Sequence, residues 1–168
     1  MNILLTGMPG CGKSTLVQAL IQALKAKKIA GIITPEIRDK TRRGFKIIDL
    51  ASGREEILAS VDIRSGPRVG KYGVNVAGVD HIVDLFRQSS EIADYIFLDE
   101  IGKMELFSRK FKETSDEVLN SNKLVVAVVH RNLASRYKNR GELIWVEREK
   151  IDEITKHVLN VLAASSSE

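Results

Sequence analysis

Cysteine occurs once in this 168-residue chain, at Cys11, so no disulfide can form within it and its stability has to come from packing. Aromatic residues make up only 5% of the sequence and none interleaves with a basic run, which gives single-stranded nucleic acid little to stack on. No apolar stretch approaches the roughly 18 residues of a membrane span. Neither sign of charge dominates: 26 Lys and Arg stand against 22 Asp and Glu, a net +4, with both signs spread along the chain. Nucleic acid is therefore permitted but not indicated as a partner. Met1 runs directly into a β-capable segment, leaving no room for a cleavable leader, so a cytoplasmic protein is expected. The length fits one domain, 1–168, and a monomer is expected.

What the sequence does contain is Gly7-Met8-Pro9-Gly10-Cys11-Gly12-Lys13-Ser14-Thr15, a full match to the phosphate-cradling pattern G-x-x-x-x-G-K-[ST]. It stands between the apolar run Asn2–Thr6 and a segment, Lys13–Lys27, whose Leu16, Leu20, Ala23 and Leu24 recur at helical spacing. Strand, glycine loop and helix are the context the pattern requires. The glycines let successive N–H groups converge on an anion, and the helix start adds positive potential. Lys13 is suited to the β- and γ-phosphates and Ser14 to Mg²⁺. Cys11 sits at a position where this loop accepts any small residue, and a redox role is the weaker reading.

Further along, Ile29–Thr34 reads as a strand stopped by Pro35, and two β runs about Ser52-Gly53 predict an antiparallel hairpin over Arg43–Ser60. A loop rich in Arg, Gly and Pro follows, then a short strand at Gly73–Val76 and a helix over Gly78–Ala93. The continuous apolar runs Tyr95–Leu98 and Leu124–Val129 suit strands buried on both faces of a parallel sheet. Phe107, Phe111 and Val118 mark a helix between them; Leu143–Val146 is a last short strand. Ile151, Ile154, Val158 and Leu162 stripe a terminal helix, with Ala163–Glu168 fraying. Trp145 is expected in the core. This alternation predicts an α/β fold, a mainly parallel sheet covered by helices on both faces with a small antiparallel β-hairpin insertion.

The strand Tyr95–Leu98 delivers Asp99 and Glu100 to the sheet edge that carries the glycine loop. Asp99 suits Mg²⁺, through carboxylate or water oxygens, and Glu100 can orient or deprotonate an attacking water. Asp99-Glu100-Ile101-Gly102 also fits the D-x-x-G switch of GTPases, but Asn122-Lys123 precedes a strand and runs into Leu124-Val125, so no guanine reader accompanies it. Nor does Ser89-Ser90-Glu91 supply the signature of an ABC-type ATPase. His130 and Arg131, after the strand Leu124–Val129, are candidates to sense the γ-phosphate; Lys103, Arg136 and Arg140 are further cations of interest. A small nucleotide or metabolite kinase uses the same loop and stands as the alternative. Its acceptor lid would come from Arg38–Arg43 or Arg64–Lys71.

Three strings together carry a resemblance. Gly7–Thr15, Arg68-Val69-Gly70-Lys71-Tyr72-Gly73-Val74 and Phe97-Leu98-Asp99-Glu100-Ile101-Gly102-Lys103-Met104-Glu105 resemble, in order, the small P-loop nucleoside-triphosphatases first described from thermophiles, whose animal relatives are called cancer-related nucleoside-triphosphatases. The first string is shared by very many NTPases; the other two are far more specific. The resemblance implies a RecA-like three-layer sandwich with the Leu124–Val129 strand between the first strand and the Asp99 strand. It also implies Mg²⁺-dependent hydrolysis of nucleoside 5′-triphosphates, ATP and GTP among them, with broad base tolerance. Its nucleotide contacts carry over onto residues 7 to 15 and onto Asp99, Glu100, Ile101, Gly102, Lys103, Met104, Glu105 and Leu106. Lys13 and Glu100 would be the catalytic pair, and Ser14 and Asp99 the metal ligands.

Overall fold

The computed structural model describes residues 1–166. In chain order the elements are β1 (Asn2–Thr6), α1 (Lys13–Ala23), β2 (Ile29–Ile33), β3 (Glu36–Arg38), β4 (Arg42–Asp49), β5 (Glu55–Ser60), β6 (Arg68–Val69), β7 (Tyr72–Val74) and α2 (Val76–Ile92). They continue with β8 (Tyr95–Ile101), α3 (Arg109–Leu119), β9 (Leu124–Val129), α4 (Ala134–Tyr137), β10 (Glu142–Trp145) and α5 (Ile151–Ser165). All ten strands join one sheet in the order β10-β1-β9-β8-β2-β4-β5-β7-β6, with β3 paired to β4. Strands β10, β1, β9, β8 and β2 pair in parallel. From β4 outward every pairing is antiparallel.

Period-two alternation sorts the parallel strands into two buried faces. Ile3, Leu5, Tyr95, Phe97, Val126 and Val128 pack with Leu16, Val17 and Leu20 of α1 and Ile154, Val158 and Leu162 of α5. Leu4, Ile96, Leu98, Val125, Ala127 and Val129 face the other way, onto Val79, Ile82, Val83 and Phe86 of α2 and Phe111 and Val118 of α3. The result is the helix–sheet–helix sandwich expected, with β9 between β1 and β8. The expected hairpin is β4–β5, but it is one part of an antiparallel extension of five strands that continues the parallel sheet.

Local boundaries differ in informative ways. Helix α1 stops at Ala23, short of Lys27, because the amides of Leu24, Lys25 and Lys27 turn to carbonyls three residues back and tighten the chain into turns. The seventh strand ends at Val74, since the side chain of Asn75 accepts from the Gly78 amide and starts α2 at Val76. Phe107 belongs to a short 3-10 turn, Glu105–Phe107, and α3 begins behind the Ser108 cap. Ala163 to Ser165 are helical, anchored by Leu162 in the core; Ser167 and Glu168 lie outside the described residues. Trp145 is half-exposed, not buried, because β10 is an edge strand whose Ile144 and Val146 take the inward positions.

Candidate active site

The Gly7–Thr15 loop links the carboxyl end of β1 to the first turn of α1. Gly12 caps the helix at φ +97°, and a Cβ there would come within 2.4 Å of the Ile151 side chain. At Gly7 a Cβ would meet the Val146 carbonyl at 2.8 Å. Glycine at both points lets the loop press against the β10–α5 connection. The amides of the first turn of α1 have no carbonyl four residues behind them and are free to take an anion. Lys13 arches back over the loop: its Nζ donates to the carbonyls of Gly7 (3.0 Å) and Met8 (2.8 Å).

Register brings the acidic pair to the same place. Asp99 of β8 lies opposite Val128 of β9, and Val128 lies opposite Leu5 of β1, two residues before the loop. One intervening strand puts the two chain segments roughly 10 Å apart, the span of two strand spacings. Across that gap the Ser14 hydroxyl and the Lys13 charge both act on the Asp99 carboxylate. The Asp99–Glu100 peptide is cis, and the ladder to β9 shifts register across it. Thr34, at the end of β2, donates to the Asp99 carbonyl at 2.8 Å.

Three carboxyl groups crowd this end of β8. Burial pushes Asp99 up to about 6, helped by the charge of Glu100 and opposed by Ser14 and Lys13. Burial also raises Glu100, against the pull of Lys13. Glu105, only 3% exposed, is pushed to about 8 by burial and then by the Glu100 charge, with the nearby backbone of Glu105 and Gly102 opposing the rise. Glu105 and Glu100 flank Gly102, where a Cβ would lie 2.7 Å and 3.0 Å from their oxygens. At neutral pH Glu105 therefore holds its proton. His130 is driven the other way, towards neutrality, by burial, Arg131 and Lys13. Its Nδ1 accepts from the Asn132 amide, which leaves the ring proton on Nε2.

A cleft of about 640 Å³ opens over these groups. Of the residues singled out in the sequence, Gly7, Pro9, Gly10, Gly12, Lys13, Ser14, Thr15, Asp99, Glu100, Lys103, Met104, Glu105, His130 and Arg131 line it. The others do not. Ile101 is fully buried in the α2–α3 core and Leu106 packs against that core. Cys11 packs on the α1–α5 side, and Met8 points outward, with Arg131 on its sulfur at 3.0 Å. Gly102 is buried between the two glutamates. Arg140 is held by Asp116 (2.7 Å) and Asn120, and Arg136 is exposed elsewhere. The Arg68 guanidinium ties the carbonyls of Ile63 and Lys71 and so braces its own loop, from which Val69 reaches the cleft.

Several cleft residues carry no local signal in the sequence. Arg148, 138 residues from the loop, donates to the Gly10 carbonyl and borders the cleft. Thr34 reaches the cleft from β2, and Glu36, Phe45 and Leu58 from the antiparallel extension, where they meet Arg42 of the Arg38–Arg43 segment. Only the parallel order of β10, β1, β9, β8 and β2 could have revealed Arg148 and Thr34, because it places both at the carboxyl edge.

The sequence pattern of the family described as NTPase matches residues 2–159. The chain belongs to the NTPase family. Among curated relatives of this NTPase, the nucleoside-triphosphatase THEP1 of Methanothermobacter thermautotrophicus is 45% identical, with 96% of each chain covered. The nucleoside-triphosphatase THEP1 of Methanocaldococcus jannaschii is 42% identical, with 98% of each covered. The crystal structure of THEP1 from Aquifex aeolicus superposes on the NTPase with a TM-score of 0.82 at 35% identity, covering 96% of this chain and 99% of that one. The solution structure of a human cancer-related nucleoside triphosphatase gives 0.77 at 26% identity, with 98% of each chain covered. These neighbours extend over both halves of the sheet, so the antiparallel extension belongs to the shared architecture.

Proposed function

We propose that the chain hydrolyses nucleoside 5′-triphosphates to the diphosphate and inorganic phosphate, with Glu100 as general base and the Gly7–Thr15 loop as the phosphate cradle. The observation that carries this reading is the strand register that sets Asp99 opposite Val128 and Val128 opposite Leu5, so that the cradle and the acidic end of β8 line one cleft. The names of the relatives support the same activity.

The residues do the following. Amides of the loop and of the first turn of α1 hold the phosphate oxygens, and Lys13 exchanges the Gly7 and Met8 carbonyls for the β- and γ-phosphates. Glu100, one residue beyond Asp99 and half-buried, takes the proton of a water attacking the γ-phosphorus. Its raised pKa makes it a stronger base than an exposed carboxylate. Glu105, protonated, adds no second negative charge beside it. A hydroxyl and a buried carboxylate lining one cleft are a donor set suited to Mg²⁺, a hard cation that prefers oxygen ligands. Ser14 and Asp99 would hold that ion. When bound, it supplies charge neutralisation to the phosphates.

Among the described residues no helix is long and apolar enough to cross a membrane. A phosphate-release screen over ATP, GTP, CTP and UTP, with Mg²⁺ and with chelator, tests the reading. Release from all four that stops with chelator is expected. Release from none, or transfer to an added nucleoside monophosphate that outpaces release, would overturn it.

A further inference from the structure

The cleft reaches further than a triphosphate and a water require. It runs from the loop after β1, over the ends of β9, β8 and β2, to a wall that the antiparallel extension builds from Glu36, Arg42, Phe45, Leu58 and Val69. A triphosphate cradled at the start of α1, with its γ-phosphate directed at Asp99 and Glu100, leaves its nucleoside on the side of Arg148. The extension then stands on the opposite side, beyond the phosphorus under attack.

We propose that this wall is a second subsite, adjoining the γ-phosphate, for a planar small molecule that carries an anionic group. The inference rests on the triphosphate reading above. Phe45 is the centre of the wall. Tyr72 meets its ring edge-on, with centroids 5.5 Å apart and planes at 68°, and the Arg42 guanidinium lies 5.5 Å from its centroid. Val69 extends the apolar surface at this end of the cleft, backed by the buried Leu58. Nothing in phosphate chemistry calls for such a panel; a flat ring does.

The charges set the other half of the ligand. Glu36 is shared by Arg42 (2.8 Å) and Arg38 (3.2 Å), so two cations answer one carboxylate. Lys103 at the rim adds a further exposed cation. Glu100 feels the charge of Lys13 on the loop side, so an anion is favoured at the Arg42–Lys103 end and disfavoured next to Glu100. A ring with a phosphate or carboxylate on its far side fits both requirements, and a nucleoside monophosphate is the simplest probe.

The test uses the full chain saturated with Mg²⁺ and a non-hydrolysable triphosphate analogue, titrated calorimetrically with AMP and with UMP. One equivalent is expected to bind to the loaded protein. Loss of a stacking or cationic contact should weaken it at least about 10-fold in Phe45→Ala and in Arg42→Ala, while the affinity for the analogue changes less than about 2-fold. Arg42 is exposed, which keeps that variant informative if Phe45→Ala folds poorly. No uptake by the loaded protein at millimolar monophosphate, or uptake that neither substitution affects, would overturn the subsite. Failure of the analogue itself to bind would instead strike the triphosphate reading, and the subsite with it.

Discussion

At the scale of single residues, the site is an arrangement of charges whose burial is as important as their identity. Two carboxyls raised to about 6 and about 8 make the fold pH-sensitive in a definite direction. Each binds its proton more tightly when folded, so stability is greatest at acid pH and is lost as pH rises from the unfolded value towards the folded one. His130 acts oppositely, but only below its ordinary 6.5. Between about pH 6.5 and 8 Glu105 therefore contributes a fall in stability as pH rises. The melting temperature of the nucleotide-free protein is expected to fall across that window, and Glu105→Gln to flatten the fall. Parallel curves for the two proteins would contradict this. Arg148 bears on binding. Arg148→Ala, which frees the Gly10 carbonyl, is expected to raise KM for triphosphate by roughly 10-fold with little change in kcat, the pattern of lost uniform binding. A drop in kcat alone would assign it to the chemical step.

At the scale of elements, each piece of the site depends on how a strand or helix is ended. Ser108 shows this at the start of α3: its Oγ accepts from the Phe111 amide and donates to Asp80 of α2. Ser108→Ala is expected to cost about 1–2 kcal/mol in urea denaturation, the range for a lost cap, with α2 and α3 loosening together. A change below a few tenths would remove the cap from the account. Elements with strong local patterns were legible in the sequence: the glycine loop, the buried strands β8 and β9, the β4–β5 hairpin and the stripes of α2 and α5. The end of α1 was not, since the apolar spacing runs on to Leu24 while the backbone tightens into turns, and the exposure of Trp145 was not, since it depends on neighbours distant in sequence. Tryptophan is commonly buried, and only knowing that β10 is an edge strand explains why this one is half-exposed.

At the scale of the whole molecule, the sheet divides the labour. Its parallel half sets the loop, Asp99 and Glu100 at one edge, and its antiparallel half closes the far side of the same cleft. Sequence strings named both ends of the catalytic arrangement because each is a local motif. Of the cleft's far wall the sequence pointed to Arg42 and Val69, within the two candidate lid segments; Phe45 and Leu58 escaped it because they come from separate strands and meet only through antiparallel register. Arg148 escaped it for the same reason, reaching Gly10 across nearly the whole chain.

Convergence of loop and acidic pair on one triphosphate is best tested by comparing Glu100→Gln with the wild type, measuring nucleotide affinity and phosphate release on the same preparations. Affinity is expected to change little while turnover falls roughly 10²- to 10⁴-fold, the scale of a lost general base. Turnover equal to that of the wild type would contradict the account.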